Sequence, residues 1–428
     1  MNMRRLIPVL FFCLAGAATA EPVPLPSVTA RAIFERTQPS VVKVRTMNAK
    51  SQTEHSSGTG FAVDDRGRLL TNYHVVSDFV SEPEKYRLQY EMHDGRKGDL
   101  NLLAIDVAND LAVLASDLKQ TPLALSITPM TKGERGFSIG FPLNQGITVV
   151  EGTFNGLSED SYNERFHFTG ALNDGMSGGP ALTTKGQVFG INVAVRRNAQ
   201  LISFLVPAHF VVPLLERARS APKVESFAAE ALRQGRLYSD AVIAGLLSKP
   251  WERQTIGNYS VPGKQHPRMR CIAFSDRNLE KHYDYEHLLC FSRSSISLLD
   301  NIDTGDVSFS YSLYRDRSLG AWRFFRFMKE KFPTSASGSR SLKDYTRYSC
   351  KDRIVRLKGV RAKAALCVSG YKKDENLYDY SLNLITLQNS REAMEISLNL
   401  EAVGQEAGLR YIEHFLENIE WKSATTSK

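Results

Sequence analysis

Cysteine is nearly missing from this chain. Of five cysteines in 428 residues, one stands at position 13 and the others at 271, 290, 350 and 367. The span from 14 to 270 has none, so whatever folds there must rely on packing alone. No Cys-x-x-Cys spacing occurs, which argues against a structural zinc site. Long apolar runs are missing too. The longest, Leu6 to Ala18, is too short to cross a bilayer, which takes about 20 residues. There is no polar low-complexity tract, and 42% hydrophobic with 23% charged residues is a globular balance that argues against disorder. The net charge of +8 is spread rather than blocked, and no nucleic-acid-binding motif accompanies it. A nucleic-acid partner is therefore not expected; attraction to anionic cell surfaces is compatible but unspecific.

Turning to what is there, residues 1–20 read as a signal peptide. Arg4-Arg5 precede the apolar stretch, and Ala18-Thr19-Ala20 offers a small-residue cleavage site after Ala20. Cys13 does not make a lipoprotein signal, because Phe11-Phe12 stand where small residues would be needed. The mature protein is expected to be exported, periplasmic or secreted. Removing the leader leaves Cys271, Cys290, Cys350 and Cys367, an even number in an oxidising compartment. Two disulfides follow. Four cysteines allow three pairings, and the local pairs Cys271–Cys290 and Cys350–Cys367 are the favoured one.

The most informative stretch is Gly170-Ala171-Leu172-Asn173-Asp174-Gly175-Met176-Ser177-Gly178-Gly179-Pro180. A serine between glycines stands clear of bulky neighbours, and flexible backbone lets two N–H groups converge on a developing oxyanion. Upstream, Thr71-Asn72-Tyr73-His74-Val75-Val76 carries a histidine, and Asp110 enters the apolar run Leu111-Ala112-Val113-Leu114. An acid beside a buried strand needs a partner. A histidine N–H supplies one, the acid fixes the ring, and the other ring nitrogen can take a serine proton. The order is His74, Asp110, Ser177, whereas an α/β-hydrolase runs serine, acid, histidine.

These segments resemble trypsin-fold serine peptidases of the bacterial HtrA (Deg) type. The likeness includes Ile33 to Val44, Ser57-Gly58-Thr59-Gly60-Phe61, Ser138-Ile139-Gly140-Phe141-Pro142 and Phe204-Leu205-Val206-Pro207-Ala208, in the family's order over residues 30–219. The resemblance implies an all-β double barrel in which Ser177 is nucleophile, His74 general base and then acid, and Asp110 the group that orients His74. It places the oxyanion hole at the N–H groups of Gly175 and Ser177. It also puts Leu172, Asn173, Val193, Ala194 and Val195 at the specificity pocket. The position six before the serine is Ala171, not the acid of trypsin itself, so a small or apolar residue is expected at the cleaved position. Met176 stands where trypsins capture a freed N-terminus, so activation by clipping is not expected. Asp174 sits where the pattern often has a basic residue, and its effect on the oxyanion is left open. Nothing after residue 220 resembles a PDZ module.

The expected layout is a trypsin-like peptidase domain at 21–220, a helical linker and hinge at 221–267, and a separate α+β domain at 268–428. The last carries the disulfides in what reads as a degenerate duplication: cysteine, cysteine, strands, helix, twice. The hinge expectation rests on Pro250, Pro262-Gly263 and Pro267. Several other features have bland readings. His282 and His287 are wrongly spaced for one helical face and read as solvent-exposed. His55, His93 and His167 read as surface or packing residues, and Asp64-Asp65 as a turn. Trp322-Arg323-Phe324-Phe325-Arg326-Phe327 reads as a helix with its aromatics in the core and its arginines outside. No metal and no cofactor is expected. The function expected is endoproteolysis through an acyl-enzyme, on protein or peptide substrates such as unfolded exported proteins. The competing reading is an inactive trypsin fold that serves as a binding module in the envelope. Oligomeric state is open.

Overall fold

The computed structural model describes residues 26–422 apart from 129, 160, 196–200, 221–223, 277–280, 301, 333–341 and 388–389. The leader at 1–20 lies outside the described residues. After helix α1 (Pro26–Thr37), short strands with alternating burial build two closed antiparallel barrels. The first contains β1 (Val41–Asn48), β2 (Glu54–Ala62), β3 (Arg68–Thr71), β4 (Tyr86–Glu91), β5 (Lys97–Asp106) and β6 (Leu111–Ala115). It closes in the order β1-β2-β3-β6-β5-β4. The second contains β7 (Arg135–Gly140), β8 (Thr148–Leu157), β9 (Phe166–Phe168), β10 (Pro180–Leu182), β11 (Val188–Val195) and β12 (Ser203–Pro207), closing as β10-β11-β12-β9-β8-β7. Closure leaves no unpaired strand edge in either barrel.

The barrels share a seam. Val41, Phe61, Leu70 and Val113 of the first form one buried cluster with Phe137, Ile139, Ile191 and Val206 of the second. Helix α3 (Val211–Ser220) caps that cluster with Val211, Leu214 and Leu215. One helix leaves the first barrel: α2 (Tyr73–Ser81), between β3 and β4.

The segment expected as linker and hinge is instead packed structure. Helix α4 (Phe227–Leu247) starts where the Ser226 side chain accepts from the Ala229 N–H, and it buries Ala231, Leu232, Val242, Ile243 and Leu246. Strands β13 (Arg253–Ile256) and β14 (Tyr259–Pro262) then form a hairpin over Gly257-Asn258. Gly257 adopts φ +56°, which a tight turn needs and glycine supplies freely. Trp251, Tyr259 and Val261 join the core beyond, so the prolines and glycines here bound strands and do not mark an open tether.

That core lies under an antiparallel seven-stranded sheet. Its strands are β15 (Arg270–Asp276), β16 (Tyr283–Phe291), β19 (Val307–Asp316), β20 (Ser349–Leu357), β21 (Val360–Tyr371), β22 (Asp374–Thr386) and β23 (Glu392–Gly404). They run in the order β15-β16-β19-β23-β22-β21-β20. Between β16 and β19 a small hairpin, β17 (Ile296–Leu299) and β18 (Ile302–Thr304), stands outside the sheet. Helices α4 and α6 (Gln405–Glu417) cover one face through Val242, Ile243, Leu246, Tyr411 and Phe415. Helix α5 (Ala321–Lys331) covers part of the other through Phe324 and Met328. A short β24 (Glu420–Trp421) pairs with β14. Cys271 and Cys290 face each other across β15 and β16 and are bonded; Cys350 and Cys367 do the same across β20 and β21.

Helix α5 departs from the expected aromatic core face. Phe324 is fully buried, but Trp322 is 89% exposed and Phe325 48% exposed. Ring orientation follows the helical period: 322 falls on the far side from 324 and 328, and 325 on the flank. His287 is not solvent-exposed as expected; it is half-buried and bonded to Ser312 and Tyr285.

Candidate active site

His74 is placed by the start of α2. Asn72 precedes the helix in an extended conformation, and its side-chain amide donates to the Asp110 carbonyl at 2.7 Å. Asp110 ends the Asp106–Asp110 turn at φ +60°, a left-handed conformation that aspartate tolerates better than most residues. Its carboxylate then meets His74 twice. One oxygen accepts the backbone N–H of His74 at 2.9 Å, and the other lies 2.7 Å from Nδ1. The negative charge also sits at a helix N-terminus, where it is favoured. Desolvation pushes the His74 imidazole toward the neutral form, but the adjacent Asp110 charge and hydrogen bond outweigh it, and the net shift is upward.

Ser177 is placed by the glycines around it. Gly175 has φ +92°, and a Cβ there would lie 2.3 Å from the Phe141 carbonyl. Gly178 has φ +85°, with the Thr59 carbonyl 2.2 Å from any Cβ. The loop is braced from both barrels. The Thr59 N–H donates to the Ser177 carbonyl at 2.7 Å, and the Thr59 hydroxyl to the Gly175 carbonyl at 2.7 Å. Asn192, fully buried, donates to the Met176 carbonyl at 3.1 Å while accepting from Ser138 at 2.8 Å. Buried polar side chains of this kind are stable only when satisfied.

The orientation of the 174–175 peptide decides whether an oxyanion hole exists. The Leu143 N–H donates to the Asp174 carbonyl at 3.0 Å, which turns that oxygen away and the Gly175 N–H the opposite way. Among the described residues neither the Gly175 nor the Ser177 N–H has a hydrogen-bond partner. Two free donors beside a serine are what tetrahedral charge needs. Leu143 achieves this at φ +46°, a strained conformation for a leucine. The Asp174 side chain is exposed, so water screens its charge from the loop. Ser177 Oγ donates to the Val193 carbonyl at 3.4 Å rather than to His74, a loose resting arrangement of the kind that tightens on substrate binding.

The expected pocket residues separate. Leu172 does not face an open pocket; it is buried with Phe168, Met176 and Phe189, because an apolar side chain under this loop has a core to join. Asn173 is exposed, and Val193 borders Ser177 through its carbonyl. Ala194 and Val195 pair by backbone with Phe204 and Ser203, while their side chains lie outside the described residues. A cleft of about 890 Å³ opens on the first-barrel side, lined by Lys43, Arg45, Glu54, His55, Ser57 and Phe141 among others. Gly58, next to Ser57, lies against Val75 and the Ser177 carbonyl. Thr59, Ser138, Leu143 and Asn192 were not singled out from sequence; a buried asparagine within an apolar strand was the one available signal.

The chain beyond residue 220 grips both barrels near this site. The buried Tyr73 hydroxyl, one residue before His74, donates to the Leu298 carbonyl of β17. Leu298, Leu299, Ile302, Tyr345 and Tyr371 share a cluster with Tyr73, Val76 and Val80 of α2 and its surroundings. On the second barrel, Tyr238 of α4 donates to Asn163 at 3.0 Å and Arg268 to the Tyr162 carbonyl at 2.7 Å.

Residues 58–191 match the trypsin-like peptidase domain family. A Synechocystis protein named as a serine protease, HhoB, is 30% identical over 182 residues, covering 40% of this chain and 42% of that protein. A Chlamydia muridarum protein named as a DegP-like periplasmic serine endoprotease is 31% identical over 151 residues, 34% of this chain and 29% of its own length. A serine endoprotease from Yersinia pestis, solved by crystallography, is 26% identical and covers 47% of this chain and 70% of that one, with a TM-score of 0.41. The chain spans less than half the length of these two curated relatives. Its first half is thus similar to trypsin-like peptidase domains and to the serine proteases named above.

Proposed function

We propose that this chain is an exported serine endopeptidase that cleaves protein substrates through an acyl-enzyme at Ser177. The observation that carries this is the Ser177 loop: among the described residues the Gly175 and Ser177 N–H groups have no partner, Gly178 lies against the Asn72 backbone, and His74 two residues on is held by Asp110 at 2.7 Å. In the reaction His74 accepts the hydroxyl proton as Ser177 attacks, and the Gly175 and Ser177 N–H groups receive the developing negative charge. His74 then returns the proton to the leaving amine, and water repeats the sequence to release the acid. The leader at residues 1–20 and the DegP-like relative support an envelope location and a role in degrading unfolded exported proteins. Residues 268–428 would act as a domain of their own, recruiting or orienting substrate while fastened to both barrels. The repeated disulfide hairpins at the two ends of its sheet support an ancient duplication.

The test is labelling of the purified mature protein with a fluorophosphonate probe, with casein hydrolysis alongside. Labelling and hydrolysis that vanish in Ser177→Ala are expected. Hydrolysis that persists in that variant, or a wild type that neither labels nor cleaves, would sink the proposal and leave a binding module.

A further inference from the structure

We infer that helix α5 and the sheet face beside it form a docking surface for an anionic lipid bilayer. Helical geometry sets its two poles. Phe324 and Met328 point into the sheet, and the opposite pole carries Trp322, Arg326 and Lys329, with Phe325 and Arg323 on its flanks. A tryptophan 89% exposed is costly in water unless something covers it.

The rings cluster. Among the described residues three phenylalanine or tryptophan side chains are exposed: Trp322, Phe325 and Phe274. Phe274 lies on β15, and a row of rings runs from it to α5: Tyr285 at 5.6 Å, then Tyr314 at 5.0 Å, then Phe327 at 5.5 Å. Ile272, two residues before on the same strand face, is exposed as well. These groups occupy the sheet face opposite α4 and α6, and α4 packs both on the sheet and on the first barrel. A surface seated here would leave the catalytic seam uncovered.

Charge selects the occupant. The exposed pole and flanks of α5 carry Arg323, Arg326 and Lys329 against the single acid Glu330, which pairs with Arg326 at 3.3 Å. Indole and phenyl rings flanked by arginine and lysine match the boundary between headgroups and acyl chains, where rings enter and cations meet phosphate. Location at such a surface follows if the chain is exported, as proposed above, but the binding itself does not require catalysis.

The protein contains its own probe. Of its three tryptophans, Trp251 is buried, Trp421 half-buried and Trp322 exposed, so a blue shift on binding reports mainly Trp322. The mature full chain carrying Ser177→Ala would be mixed with phosphatidylcholine vesicles, with and without phosphatidylglycerol. Cosedimentation and a blue shift with the anionic vesicles only are expected. Arg323→Glu with Arg326→Glu should weaken binding about 30-fold or more, since each basic side chain near an anionic surface counts for about a fivefold factor. Trp322→Ala with Phe325→Ala should weaken it by roughly tenfold or more and remove the shift. Both pairs are exposed, so unchanged thermal melting would show an intact fold. No vesicle binding, or binding that neither pair weakens, overturns the inference. A blue shift that grows with protein concentration and without lipid overturns it too, and assigns the face to a second copy of the chain.

Discussion

The barrels close on themselves and have no edge, whereas the C-terminal sheet ends in two exposed edges, β15 and β20. The disulfides follow that difference. Each edge strand is bonded covalently to its neighbour, Cys271 to Cys290 at one end and Cys350 to Cys367 at the other, and no cysteine occurs in either barrel. An edge strand has hydrogen-bond partners on one side only and frays first. A closed barrel pairs every strand twice, so packing of valine, leucine and phenylalanine suffices. Among the described residues the closed barrels carry no disulfide, and the open sheet carries one at each edge.

The comparison also divides function from support, and substitutions can test the division. Asp110→Asn keeps the left-handed backbone but removes the charge that holds His74, so kcat should fall by about 10⁴-fold. Because the His74 pKa is raised and the ring must be neutral to act as base, wild-type kcat/KM should fall with acidification through a pKa shifted upward from the ordinary histidine value. In Asp110→Asn that limb should move to lower pH; a pH–rate profile with an unmoved limb would refute the coupling. Gly175→Ala must shift the 174–175 peptide away from the Phe141 carbonyl, and a loss on the order of 100-fold or more in kcat is expected with little change in KM.

Replacing Cys271 and Cys290 by serine tests the other side. The C-terminal sheet should lose roughly 2–4 kcal/mol in denaturant titration while fluorophosphonate labelling of Ser177 persists. Loss of labelling in the folded variant would show that the edges and the triad are not separable. The smallest effect is expected where the two regions meet. Tyr73→Phe leaves the Leu298 carbonyl without its donor, costing about 1 kcal/mol of stability. If the grip on α2 steadies His74, kcat should drop a few-fold at constant KM; an unchanged kcat would make that grip purely structural.

Much of the first half was legible because its pattern is local. His74, Asp110 and Ser177 each stand within a short run whose glycines, aspartates and alternating apolar residues already describe a turn or strand. The C-terminal half was read less well. The dipeptide Gly257-Asn258 between Ile256 and Tyr259 is a hairpin signal, yet prolines on either side suggested a hinge. Leu172 illustrates another limit: an apolar residue near a serine can line a pocket or fill a core, and only its neighbours Phe168, Met176 and Phe189 decide.

By itself the sequence marked which residues are candidates for acyl transfer, where two local disulfides are expected, and that short strands would dominate the first half. Those properties depend on residue type and near-neighbour spacing. The tertiary structure alone decided that Leu143 turns the Asp174 carbonyl outward, that Leu298 reaches back to Tyr73, and that Trp322 faces solvent instead of the core. Each of these joins groups distant in sequence or selects one helical face over another, and no local pattern encodes which partner will be there.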